Sequence, residues 1–215
     1  MGTIRVTGRA SVRVRPDTTR ITFDLGGMYK EYGETLRHSS EDTDALKNVL
    51  APFGFDRSDL KTLSFDVNTE YESYREDDVY KQRFTGYRYN HQMKVEFPSD
   101  NERLGNIVYA LATCSLSPEF RLSYTVSDSE AVKNEVLGKA VSDSKAKALV
   151  LAEAAGVGLG SICSIDYSWG EVELEVAPMR NGIFGDGQLR AKCSLDIEPD
   201  DISIEDTVTV VWELV

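Results

Sequence analysis

Val150–Ile162 reads VLAEAAGVGLGSI, with glycines at Gly156, Gly158 and Gly160 closing an apolar, alanine-rich run. Loops that cradle phosphate follow a strand and precede a helix, so that the free N–H groups of the helix face the anion. Here the order is reversed. Helical spacing runs into Gly156 and an apolar strand leaves Gly160, so a phosphate would meet the negative, carbonyl end of the helix dipole. No Gly-Lys-Ser/Thr follows. Gly156 is expected to stop the helix by taking a left-handed conformation just beyond its last turn.

Working back from that stop, Val132, Val136, Ala140, Ala148, Leu151 and Ala155 fall on one stripe of a helix about 28 residues long, or roughly 40 Å. Ser127 with Glu130 forms a capping-box pattern at its start, and Ser99 with Glu102 forms another before a helix through Leu104, Ile107, Val108 and Leu111. A third helix spans Glu34–Leu50, carrying Leu36, Thr43, Leu46, Val49 and Leu50 and stopped by Pro52 and Gly54.

The rest of the chain alternates. Ile4, Val6, Ala10, Val12 and Val14 share one strand face, and Arg5, Arg9, Arg13 and Arg15 share the other. Ile21, Phe23 and Leu25 begin a second strand. Leu63, Phe65, Val67 and Tyr71 alternate with polar residues, as do Tyr87, Tyr89, His91, Met93, Val95 and Phe97. The polar stretch SYREDDVYKQR between them reads as the mobile tip of a long antiparallel hairpin. Strands are also expected at FRLSYTV after Pro118, near Ile162–Tyr167, at Glu171–Val176 and at Thr207–Leu214, with NGIFGDGQ a loop. The order β-β-α-β-β-α-β-α-β-β-β predicts an α+β fold, antiparallel sheets carrying three helices. We expect one domain over 1–215 in two lobes, with the first and last strands adjacent, a middle lobe inserted at about 84–167, and 1–83 with 168–215 forming the other.

Composition bounds the function. A chain of 215 residues, 41% hydrophobic and 28% charged, needs no disulfide or metal to fold. Its net charge of −12 disfavours nucleic acid. No window approaches the roughly 18 apolar residues of a membrane helix, so no membrane insertion is expected. Cys114, Cys163 and Cys193 are far apart and odd in number, and are expected as free thiols. No basic-then-apolar segment opens the chain, which points to the cytoplasm. The alternative is an exported or envelope-associated protein whose leader was removed.

Catalytic and metal chemistry find little to work with. The two histidines, His38 and His91, are unrelated in spacing, and His91 reads as a hydrogen-bonded core residue. EPDDISIED and the EDD of the hairpin tip lack the spaced oxygens of a calcium loop and read as solvated acidic loops. No Gly-x-Ser-x-Gly elbow occurs. No catalytic residue, metal ligand or cofactor is therefore assigned. Tyr74 and Tyr80, on the hairpin tip, are candidate contact residues. The stripe of Arg5, Arg9, Arg13 and Arg15 and that of Glu171, Glu173 and Glu175 could meet within one sheet or between subunits.

SKAKALVLAEAAGVGLGSICSID, Ser144–Asp166, resembles the most recognisable segment of the SIMPL-domain family. VTGRASVRVRPDTTRITFDL resembles that family's opening pattern, DLKTLSFDVNTEY its Ile-x-Thr strand ending in Tyr, GYRYNHQMKVEF its Gly-Tyr strand and DTVTVVWEL its closing strand. Arg9-Ala10 replaces the usual second glycine region. The resemblance implies a largely bacterial, often exported protein linked loosely to envelope and oxidative-stress phenotypes, and brings no agreed catalytic residues. The function expected is a non-enzymatic, self-associating interaction or scaffold module, a homo-oligomer with a stress-related setting. The alternative is a hydrolase-like enzyme with a dispersed site.

Overall fold

The computed structural model describes residues 2–76, 78–167, 174–177 and 197–215. It is an α+β protein in the order β1 (Gly2–Val14), β2 (Thr18–Tyr29), α1 (Tyr32–Leu50), a 3-10 turn (Ala51–Phe53), β3 (Lys61–Glu76), β4 (Val79–Pro98), α2 (Asn101–Thr113), β5 (Glu119–Thr125), α3 (Ser129–Ala154), β6 (Leu159–Asp166), β7 (Glu175–Val176) and β8 (Ile202–Leu214). No helix among the described residues is long and apolar enough to cross a membrane.

The chain divides into two compact units. Of the described residues, 2–17, 125–167, 174–176 and 199–215 form one, and 18–76, 78–124, 177 and 197–198 form the other.

In the first unit the strands stand in the order β1-β8-β6. The first and last strands are antiparallel neighbours, from Gly2 opposite Leu214 to Val14 opposite Ile202. Acidic EPDDISIED was expected to be a loop, yet β8 begins at Ile202, with Ile202 and Ile204 buried. Alternation of apolar and charged residues carries the strand through that acidic run.

Helix α3 lies on β1 and β8 and buries Val136, Ala140, Ser144, Ala148 and Ala152. The stripe differs from the expected one, for Leu151 is 51% exposed and Ala155 is exposed, while Ser144 is buried. Small residues win this face because the helix rides close to the sheet. A Cβ built on Gly8 would stand 1.9 Å from the carbonyl oxygen of Ala140. Ser144 Oγ donates to the carbonyl of Val6 at 3.2 Å, so its buried hydroxyl is satisfied. Gly156 has φ +73°, and the N–H groups of Gly156 and Val157 reach back to Glu153 and Ala152. The expected helix stop is present.

Neither capping serine caps. At α2 the cap is Asp100, whose carboxylate accepts from the N–H groups of Glu102 and Arg103. At α3 it is Asp128, accepting from Ala131. Ser99 instead accepts from Thr19 at 3.2 Å, and Ser127 donates to Asp17 from both its backbone and its hydroxyl. In each case an aspartate one residue further on sits in register with the first turn, and its carboxylate is the stronger acceptor at a helix N-terminus.

In the second unit the strands run β3-β4-β2-β5. Helices α1 and α2 cover one face. Ile21, Phe23 and Leu25 of β2 and Tyr89, Met93, Val95 and Phe97 of β4 bury against Leu46 and Leu50 of α1 and Leu104, Ile107 and Leu111 of α2. The other face is polar. There Arg20 and Lys94 both reach Glu96, and Gln92 and Arg121 both reach Asp24.

Candidate functional site: an aromatic hairpin and a polar cleft

β3 and β4 continue as a paired ribbon to Glu76 opposite Val79. The stretch read as a mobile tip is therefore mostly strand, with Asp78 at φ 60° in the turn. Its polarity has a physical source. The chain crosses back on itself so that Glu70 meets Arg88 at 2.8 Å, Glu72 meets Arg83 at 2.7 Å and Glu76 meets Lys81 at 2.7 Å. Each such exposed pair contributes about 0.2–1 kcal/mol. Arg83 also stands 5.8 Å from the ring of Tyr74, and Arg75 5.9 Å from that of Tyr80.

An aromatic row accompanies these ion pairs. Tyr71 contacts Phe84, Phe84 contacts Tyr87 and Tyr87 contacts Tyr32, edge to face, with centroids 5.2–5.8 Å apart. Tyr71 is 55%, Phe84 43% and Tyr32 51% exposed. A row of rings across β3, β4 and α1, with Tyr87 half-buried and the other three exposed, is unusual for a face that meets only water. The outer side of β3 carries no strand among the described residues.

The arginine stripe lies on the outer strand of the other sheet. Arg5 approaches Asp166 at 3.6 Å, and Arg9 pairs with Glu205. Arg9 also gives its backbone N–H to Asp143 of α3 at 2.8 Å. Arg13 and Arg15 are exposed and form no ion pair among the described residues. Glu175 is exposed on β7, whereas Glu171 and Glu173 lie outside the described residues.

A cleft of about 880 Å³ opens on the second unit, its lining including Asp24, Asp42, Ser64, Arg88, Asn90 and His91. Tyr89 donates its hydroxyl to Asp42. Burial, then that hydrogen bond, pushes the phenol well above its usual range. His91 is held between two threonines, with Thr43 Oγ1 3.1 Å from Nδ1 and Thr62 Oγ1 2.9 Å from Nε2. Thr43 gives its only hydroxyl proton to the carbonyl of Ser39 at 2.8 Å, so toward His91 it accepts. Nδ1 therefore carries the proton in the neutral ring, and Nε2 accepts from Thr62. Spacing placed His91 on the apolar face but missed its partners, which come from α1 and β3.

Burial, and then the charge of Lys47, lowers the His91 pKa below its ordinary 6.5. The folded state thus binds this proton less well than the unfolded chain. The stabilisation is complete above the unfolded value near 6.5 and is lost as pH falls toward the folded pKa. The melting temperature should fall between pH 7.5 and 5, and His91→Gln should flatten part of that slope. Parallel profiles for the two proteins would mean that His91 contributes nothing to it.

Among the described residues no cluster of three or more His, Cys, Asp or Glu could hold a metal. Cys114 and Cys163 are free thiols, and Cys193 lies outside the described residues. Comparison with known proteins adds two relatives, each called a 26 kDa periplasmic immunogenic protein. That of Brucella abortus (strain S19) is 27% identical, and that of Brucella melitensis biotype 1 is 26% identical. Both alignments cover 98% of this chain and 84% of the relative. Residues 4–212 match the SIMPL family model, described as a protein of unknown function (DUF541). With the match running from β1 to the end of β8, the chain belongs to the SIMPL family.

Proposed function

We propose that this protein is a non-enzymatic interaction module that associates with its own copies through the β3–β4 hairpin. The observation that carries the reading is the exposed row Tyr71–Phe84–Tyr87–Tyr32 beside the open edge of β3. Rings of this kind supply large contact area at small entropic cost, and an open edge supplies backbone donors and acceptors. Sedimentation velocity over a wide concentration range should reveal an oligomer. Replacing Tyr71 and Phe84 together by serine should weaken it about tenfold or more without lowering the melting temperature by more than a few degrees. A wild-type protein that stays monomeric throughout would refute the proposal. The periplasmic naming of both relatives supports an exported location over the cytoplasm. The stress-related setting rests on the family resemblance alone.

The threonine clip around His91, which itself lines the cleft, favours a second reading, a hydrolase. Thr62, His91 and Thr43 stand in the order nucleophile, base and orienting group, with the hydroxyl of Thr62 directed at Nε2. Among the described residues both ring nitrogens meet threonines and no charged group orients the ring, which weakens the base. Ester hydrolysis abolished equally by Thr62→Val and His91→Gln would establish this activity.

A further inference from the structure

We propose that the self-association is head-to-tail: the outer edge of β3 in one copy receives the Arg13–Arg15 end of β1 from the next. This rests on the hairpin reading above and names the surface that the hairpin meets. The first observation is what β3 cannot meet. Pairing β3 with its own copy about a two-fold axis sets residues opposite each other symmetrically around a centre. Centred on Asn68, Asp66 faces Glu70; on Thr69, Asp66 faces Glu72; on Tyr71, Glu70 faces Glu72. Centred on Ser73, Glu70 faces Glu76; on Tyr74, Glu72 faces Glu76; on Glu70 or Glu72, each faces itself. Each register centred from Asn68 to Tyr74 opposes two carboxylates, which disfavours a symmetric dimer over that part of the strand.

The same row defines its complement. Arg88, Arg83 and Lys81 form a cationic row on β4, and Glu70, Glu72 and Glu76 form an anionic row on β3. One oxygen of each carboxylate is engaged by that inner row, leaving the other as an acceptor. A strand added outside β3 therefore fits best with cations at alternate positions on that face and apolar residues on the other. The end of β1 has this pattern, with Arg13 in the strand, Arg15 just beyond it and Val14 between them. An antiparallel approach that sets Arg13 against Glu72 also sets Arg15 against Glu70 and Val14 beside Tyr71.

The structure limits which part of β1 is open. Asp143 of α3 takes the N–H of Arg9, and Arg5 and Arg9 already have carboxylate partners. Arg13 and Arg15 are exposed and form no ion pair among the described residues. The two surfaces differ, so each copy offers one and receives the other. Repetition gives a closed ring or an open filament.

Charge reversal at each surface tests this. Variant one carries Glu70→Arg and Glu72→Arg, and variant two carries Arg13→Glu and Arg15→Glu. Each alone should associate at least about tenfold more weakly than wild type at low salt. An equimolar mixture should recover assembly, because the reversed hairpin of one then meets the reversed strand of the other. Circular dichroism melts establish that both variants fold; Glu70→Gln with Glu72→Gln replaces variant one if they do not. Wild-type association by variant two, or a mixture no stronger than its parts, would overturn the head-to-tail arrangement while leaving the hairpin reading intact. Monomeric wild type would instead remove the reading beneath it.

Discussion

Gly8→Ala should destabilise the first unit by about 3 kcal/mol or more, since overpacking against a rigid backbone sits at the upper end of such costs. The added methyl carbon would lie 1.9 Å from Ala140 O, 2.5 Å from Ser144 N and 2.8 Å from Ser144 Cβ. Two of these three atoms belong to the helix backbone, so no rotamer change relieves the clash. α3 must lift from β1, which loosens the burial of Ala140, Ser144 and Ala148 and strains the Ser144–Val6 hydrogen bond. For a chain of this size the melting temperature should drop by roughly 6–12 °C. Hydrogen exchange should quicken in β1, α3 and β8. A variant within about 1 kcal/mol of wild type would mean that the helix does not sit so close to Gly8.

Phe23→Ala should cost about 3–5 kcal/mol, the range for emptying a buried aromatic site. Phe23 is fully buried on β2, opposite Met93, in the cluster shared by β2, β4, α1 and α2. The helices cannot collapse into the space because Leu46, Leu50, Leu104 and Ile107 are themselves fully or almost fully buried there. Exchange should quicken in β2, β4, α1 and α2, and denaturant melts should shift to a lower midpoint. A shift below about 1 kcal/mol would show that the site refills.

Alternation and helical spacing were sufficient to place the three helices and the long strands, because each buries one face and leaves the other in water. They failed where burial and apolarity part company. On α3, Ser144 is buried while Leu149, Val150 and Leu151 are exposed, since close approach at Gly8 selects for small size over hydrophobicity. Capping was misread at Ser99 and Ser127 because an aspartate follows each, and only the chain's entry angle decides between them. The hairpin tip looked like a loop because both its faces meet water, and alternation of charge signs is a weaker signal than alternation of polarity. The Thr43–His91–Thr62 clip joins residues 48 and 29 positions apart, and no local pattern reports such a meeting.

The adjacency of β1 and β8 has a consequence for synthesis. Strand β1 precedes every other described strand in the sequence, yet the strand that pairs with it, β8, follows them all. At about 5–20 residues per second, on the order of ten to forty seconds separate the two. Throughout that interval β1 lacks the strand that pairs with it in the folded protein. Charges such as Arg5, Arg9 and Arg13 on one face of β1 are the kind of residue that blunts aggregation of an unpaired apolar strand. The stripe thus protects the nascent chain before it serves the folded one, and substitutions at Arg13 and Arg15 that leave the native fold intact should lower the yield of soluble protein.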